Sequence, residues 1–273
     1  KDFDSIKNIT LKKIPFGKIA GRVMHAKYFV VDGVDLFLGS QNFDYRALKH
    51  IHEIGIRVKD KNMASMFLRI FETDWQLCDG YSTEKKKEII SLTNDAVYTS
   101  KNMLSLSDDK YGTVKLYPAF SPNKLVNKGF AKEEAELIKL IKSSKHHLYI
   151  NYYSYSTKGK NKKTSYLKID NEIRKAAERG VEVKIIFSDW AIKKDAIEQI
   201  KELSQVKGIE IRFSTIPQHS SGFIPYSRVQ HCKVMISDDD MSWISTSNLE
   251  RDYFFESRNA TMIIENEKVN EEL

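Results

Sequence analysis

The chain has 273 residues, 41% hydrophobic and 30% charged, enough to bury a substantial core in one large domain or two small ones. Lys and Arg number 44 against 37 Asp and Glu, and the net charge of +7 tilts the choice of partner toward phosphate-bearing polymers or membrane surfaces. Twelve Gly and five Pro exclude collagen-like and proline-rich chains, and no apolar run approaches the roughly 20 residues of a membrane-spanning helix. Two cysteines, Cys78 and Cys232, are too few for a disulfide framework or a four-ligand zinc site of their own.

In chain order, apolar runs predict strands at Tyr28–Val31, Leu36–Leu38 and residues 53–58. A helix over Met63–Leu77 follows, with Phe67, Ile70, Phe71 and Trp75 as an apolar stripe expected in the core. Residues 81–112, rich in Ser, Asp and Lys, read as a connector between a first unit, 1–80, and a second, 113–273. The second unit alternates strand and helix: 114–117, helix 132–143, 147–152, helix 166–179, 181–187, helix 192–203 and 209–213. That order implies an α/β fold with a mixed or largely parallel sheet and helices on both faces. Strands at 234–236, 243–244 and 259–264 and a short helix from Glu267 close the chain.

An internal repeat organises these elements. His25-x-Lys27 with Asp32 and His231-x-Lys233 with Asp238 share one spacing, and each is followed by a small-polar turn ending in Asn: Gly39-Ser40-Gln41-Asn42 and Ser245-Thr246-Ser247-Asn248. The offset is 206 at each of these positions. Side chains alternate along a strand, so each His shares a face with its Lys, and Cys232 points away as a small core hydrophobe. A carboxylate stands near the start of each third strand, Glu53 and Glu256. The second copy has about 120 residues before its His and the first has 24, so the first unit is expected to be truncated, as is the last helix. A missing segment or another chain would complete the first half.

Two imidazoles, two ammonium groups and two carboxamides suit attack on a phosphodiester, one His as nucleophile and the other as general acid. Lys27, Lys233, Asn42 and Asn248 would face the charge that grows on the non-bridging oxygens, with Ser40 and Thr246 as further hydroxyl donors. Glu53 and Glu256 would each hold one ring nitrogen of a His. No cofactor is called for. A metal held by His25 and His231 is disfavoured, because the Lys two residues along repels a cation.

The doubled H-x-K-x4-D-x6-G/S-S/T-x-N pattern closely resembles the phospholipase D superfamily over nearly the whole chain. His25 to Asp32, Leu38 to Arg46 and Ile224 to His231 look like the branch holding animal lysosomal single-strand 5′-exonucleases and poxvirus envelope phospholipase-like proteins. The resemblance implies a phospholipase D-like fold: two halves about a pseudo-twofold axis, with both motifs at one metal-independent site cutting nucleic-acid or phospholipid phosphodiesters through a phosphohistidine. It places Asp32 and Asp238 away from the phosphate, as braces. Spacing does not choose between the two imidazoles; the resemblance favours His25 as nucleophile. Where the family usually has Gly, the second copy has Ser245.

A metal-independent nuclease on single-stranded DNA or RNA is therefore expected, with a phospholipase or phosphatidyl transferase as the alternative and a non-catalytic binding module as the third. For the polyanion, Lys158, Lys160, Lys162 and Lys163 offer charge, and Tyr153 and Tyr155, beside Tyr152, offer rings for base stacking. Burial of at least one of these tyrosines is also expected. Residues 220–225 are a short apolar loop of the kind a lipid enzyme exposes. His50, His52, His146, His147 and His219 read as structural or solvated, and Asn259-Ala-Thr261 matches a glycosylation triplet but heads a predicted buried strand.

Overall fold

The computed structural model describes residues 6–91, 97–159, 164–192 and 194–273. Two sheets of unequal size carry the repeat. The small one is antiparallel, β1 (Tyr28–Val31), β2 (Asp35–Gly39) and β3 (Gly55–Lys59) in that order. Among the described residues the large one has nine strands: β4 (Leu104–Asp108), β5 (Gly112–Ser121), β6 (Ala131–Lys132), β7 (His147–Tyr152), β9 (Glu182–Ser188), β10 (Ile209–Ser214), β11 (Lys233–Ser237), β12 (Met241–Ser245) and β14 (Asn259–Glu265). Their order is β10-β9-β7-β11-β12-β14-β5-β4, with β6 added to β5; β10, β9 and β7 run parallel, and the pairs from β7 to β4 run antiparallel. A separate parallel pair joins β8 (Tyr155–Ser156) to β13 (Leu249–Glu250). The helices are α1 (Phe16–Ile19), α2 (Tyr45–Lys49), α3 (Lys61–Leu77), α4 (Thr83–Ser91), α5 (Glu133–Ser143), α6 (Lys168–Glu178), α7 (Lys194–Ser204), α8 (Arg251–Phe255) and α9 (Glu267–Glu272).

β1-β2-β3 and β11-β12-β14 are the same meander displaced by the 206-residue offset, which extends past the motifs: Asp60 caps α3 through Met63 N at 2.7 Å, and Asn266 caps α9 through Val269 N at 2.8 Å. Leu148, Ile150, Val183, Ile185 and Phe187 pack against Leu137, Ile141 and Ile173 of α5 and α6. A second core joins the halves: Leu36, Leu38 and Val58 of the small sheet meet Phe67 and Ile70 of α3 and Ile244, Met262 and Ile264 of the large sheet. Fully burying each such aliphatic contributes about 1.5–3 kcal/mol.

Two sequence expectations change. On α3 the inward face is Met63, Phe67, Ile70, Asp74 and Leu77, while Phe71 is exposed and stacks on Trp75 at the rim. The apolar stripe is wider than the buried one; at 100° per residue Phe71 and Trp75 lie to one side of it. The presumed connector contains α4 and the edge strand β4, whose Leu104 joins the shared core; β4 is polar enough at alternate positions to read as loop.

Arg258 crosses between the halves. Completely buried, it pairs with Asp74 of α3 at 2.6 Å and donates to the carbonyls of Ser121 (3.0 Å) and Leu125 (3.2 Å). All three guanidinium nitrogens then meet an oxygen, the condition under which a buried charge is tolerated.

Candidate active site

His25 and His231 lie just before β1 and β11, and each is anchored by the opposite half. His25 N donates to Arg258 O (3.0 Å) and His231 N donates to His52 O (2.9 Å), at positions again related by 206. The side chains cross in the same way. His231 Nδ1 meets the Glu53 carboxylate at 2.8 and 3.0 Å, and His25 Nδ1 meets Asn259 Oδ1 at 3.0 Å. Ser40 Oγ donates to Glu53 Oε2 (2.5 Å), and Thr246 Oγ1 donates to Asn259 Oδ1 (3.0 Å). Lys27 and Lys233 fold back so that each Nζ donates to the carbonyl of its own His, at 2.5 Å in both copies.

The expected role of Glu256 needs correction. Its carboxylate binds Arg251 at 2.6 Å and lies against Gly21, whose φ of +120° is a backbone conformation open to glycine. Asn259 holds His25 instead. The repeat carries the signal, since Asn259 is the residue 206 positions after Glu53, an amide in the place of the carboxylate. The Asn259 amide orientation follows from its neighbours. Its Nδ2 donates to Tyr253 O (2.8 Å) and Ser121 Oγ (3.2 Å), so Oδ1 faces the imidazole and Thr246. His25 Nδ1 must therefore carry the proton.

Burial and charge set the protonation states. Desolvation, then Lys27 and Lys233, pushes His25 well below the usual histidine value, and a positive charge on His231 opposes its protonation further. His231 is also lowered, by desolvation and Lys233, but Glu53 pulls it back up. Both Lys are buried, Lys233 completely, and desolvation brings each down to about 7, with Glu53 opposing. Two half-charged ammonium groups in a dry site give up little hydration on meeting an anion, and an anion there would protonate them fully.

Other expected residues divide. Asn248 is buried, whereas Asn42 is exposed. Tyr153 stands edge-on to His231 at 5.0 Å with Lys233 Nζ 5.4 Å from its ring centre. Tyr253, which no motif flagged, stands edge-on to His25 at 4.8 Å. Its counterpart by the offset is Ala47, so the repeat could not have found it. Tyr155 is not a base-stacking residue: it is buried and its hydroxyl donates to Asp170, because β8 turns it into the core. Lys158 is exposed after β8; Lys160, Lys162 and Lys163 lie outside the described residues. Among the described residues no three His, Cys, Asp or Glu side chains converge as a metal site. Cys232 is buried, its thiol pushed up to about 11, chiefly by desolvation.

Asp238 accepts backbone N–H groups from His146 (2.7 Å) and His147 (3.1 Å), bracing the start of β7, and Asp32 is exposed. Ser245 has a local cause too. Its hydroxyl, with those of Ser247 and Thr261, donates to Oε1 of buried Glu133 at 2.6–2.7 Å. In the first copy a Cβ at Gly39 would lie 2.0 Å from Gln41 Oε1, a side chain that can turn aside, and 2.8 Å from Ile54 O, a backbone atom that cannot, so the Ile54 carbonyl leaves room for glycine alone. Space, rather than a left-handed backbone, decides between Gly and Ser there.

Each repeat hands the other the partner of its histidine, and the chain is similar to known proteins. The family model described as cardiolipin synthase, phospholipase D-like domain, matches residues 2–75 and 137–273, and the chain belongs to that family. Similar proteins include a probable phospholipase D of Caenorhabditis elegans, 27% identical over 90% of this chain and 47% of its own length. A virion nicking-joining enzyme of vaccinia virus is 28% identical, over 94% of this chain and 61% of the viral protein. A 5′-3′ exonuclease of Xenopus tropicalis is 26% identical, over 97% and 56%. The chain thus spans about half to three fifths of the length of these relatives.

Proposed function

We propose that the chain carries the active site of a phosphodiesterase that works through a phosphohistidine, and that its substrate is single-stranded nucleic acid. The observation that carries this reading is the crossed pair: each imidazole is gripped at Nδ1 from the opposite repeat, which leaves Nε2 of both rings for chemistry. His25, neutral and with its proton fixed on Nδ1, has the Nε2 lone pair that an in-line attack on phosphorus requires. His231, whose protonated form Glu53 favours, is the general acid. As the His25 Nε2–P bond forms, the P–O bond to the leaving group breaks and its oxygen takes the proton from His231. Once that alcohol has left, neutral His231 takes a proton from water as the water oxygen attacks phosphorus and the N–P bond breaks back to His25 Nε2. Lys27 and Lys233, with Asn248 and Asn42, offset the charge on the non-bridging oxygens. Tyr153 and Tyr253 exclude water from the two rings.

Support for a nucleic-acid substrate comes from the net charge of +7 and from relatives named as an exonuclease and as a nicking-joining enzyme. Phospholipid is the second reading, favoured by the relative named as a probable phospholipase D and by the exposed Phe223 in the apolar loop. Incubation with end-labelled single-stranded DNA and with phosphatidylcholine vesicles, each in excess chelator, divides them. Cleavage of the DNA is expected. Lipid turnover with intact DNA transfers the assignment to the second reading, and cleavage that stops in chelator overturns the mechanism.

A further inference from the structure

Outside the histidine pair, an aromatic and cationic surface stands on the segments that lead into it. The Arg46 guanidinium lies between two rings, 5.8 Å from the centre of Tyr45 and 6.0 Å from that of Tyr226. Both rings are well exposed, at 60% and 74%, and they come from opposite repeats. Tyr45 also meets His50 edge-on at 6.3 Å, and His50 meets His219 at 5.1 Å. Lys49 and Arg228 add positive charge to the same segments, with Asp44 3.4 Å from Arg46 Nε.

The surface is built rather than incidental. Asp44 caps α2 through Arg46 N and Ala47 N, which fixes the backbone of Tyr45 and Arg46. Tyr226 and Arg228 hold φ of +56° and +58°, a left-handed conformation unfavourable for residues with side chains that persists only where the surroundings enforce it. Three bonds enforce it: Arg228 N to His50 O (2.8 Å), Arg228 Nε to Pro217 O (2.6 Å) and Ser227 Oγ to Ile224 O (2.8 Å). The outcome is a large ring turned toward solvent, where burial contributes nothing. The same ladder continues from Arg228 through Val229 to His231, whose N donates to His52 O beside Glu53. Five residues of chain separate Tyr226 from His231, so their backbones lie at most about 17 Å apart.

We propose that Tyr45 and Tyr226, with Arg46 between them, form a clamp for an unpaired base of the strand whose phosphodiester is cut at His25 and His231. The proposal rests on the nucleic-acid reading above. Every base has a π-face and a charged backbone beside it, which matches exposed rings interleaved with guanidinium groups. A membrane surface would instead use the apolar side chains Leu48 and Phe223, and the arrangement of Arg46 between ring faces would serve no purpose there.

Steady-state cleavage of a labelled oligothymidylate and of an abasic strand of equal length tests it. Tyr226→Ala and Tyr45→Ala are expected to raise KM for the oligothymidylate about tenfold, with kcat little changed and the abasic strand unaffected. Tyr226→Phe, which keeps the ring, is expected to retain the wild-type KM. Equal losses on both strands, no loss on either, or Phe behaving as Ala overturns the clamp while leaving the nuclease intact. Binding to phosphatidylserine vesicles that falls in Tyr226→Ala while the oligonucleotide KM stays constant assigns the surface to membranes instead. A wild-type protein that cleaves neither strand overturns the clamp and the nucleic-acid reading together, so the two failures are told apart.

Discussion

Met235 is completely buried in the core beneath α5, while Phe29, its counterpart 206 positions earlier, is 48% exposed. Asp238 braces β7, while Asp32 is exposed. Yet Lys27 and Lys233, Ser40 and Thr246, and Glu53 and Asn259 make matching bonds. The two halves differ in what packs on the meander and agree in the bonds that hold the site. Site geometry is therefore set by the meander and by the opposite half's grip on it, and the outer layers of the large sheet add stability without shaping the histidines. Where the halves do differ at the site, carboxylate against amide, the difference is chemical and divides the labour between two otherwise equivalent rings.

The strongest way to break this comparison is to remove one histidine at a time. His25→Ala and His231→Ala should each lower kcat by about 10⁴-fold or more, because groups that act as a unit fail together. A double variant no worse than either single one would agree; full activity in either would show that the rings do not share one reaction. Next in size is the tie between the halves. Asp74→Ala strands the buried Arg258 charge and should destabilise the fold by about 3–5 kcal/mol, read by urea denaturation. A loss below about 1 kcal/mol would mean that the halves are held by their apolar core alone.

Exchanging the partners sharpens the comparison. The general acid works only when protonated, so the rate should fall as pH rises through the value of His231; the nucleophile works only when neutral, so the rate should fall as pH drops through that of His25. Both lie below the ordinary histidine value of 6.5, which puts the optimum of kcat/KM on the acid side of it. Lys27 and Lys233, near 7, lose charge above neutrality and steepen the alkaline fall. Glu53→Gln should cost about 10–100-fold and move the alkaline limb to lower pH, by analogy with other partners that orient a reactive His. Asn259→Asp should move the acid limb to higher pH. If Glu53→Gln moved the acid limb instead, the roles of His25 and His231 would be reversed.

The meander, the motifs and the alternating second half were legible in the sequence because each depends on local spacing: period-2 apolar runs, helix stripes and a constant offset. Asn259 was legible in principle, through the offset, but chemistry pointed to the nearby Glu256. Tyr253 and the Arg258–Asp74 pair were not legible, since each depends on contacts between residues far apart in the chain with no equivalent in the other copy. Tyr155 was misjudged for the same reason: a two-residue strand carries too little pattern to say which way its ring turns. The role of Tyr226 was hidden in backbone dihedrals, which its residue type gives no hint of.

The smallest effect expected lies at the motif position where one copy has glycine and the other serine. Ser245→Ala removes one of three hydroxyls that donate to Oε1 of Glu133, a carboxyl whose pKa burial already raises. Ser247 and Thr261 still serve the same oxygen, so the loss should be about 1 kcal/mol, a fall in Tm of about 2–4 °C for a chain of this size. Catalysis should be untouched, because Thr246 and not Ser245 reaches Asn259. Gly39→Ala, at the equivalent place in the first copy, should cost more, because the new methyl meets Ile54 O, a backbone atom that cannot turn aside as Gln41 can. Thermal melts of the two variants side by side would separate these sites; an equal fall in both would show that Ile54 O does not impose the glycine and that the two turns tolerate a side chain alike.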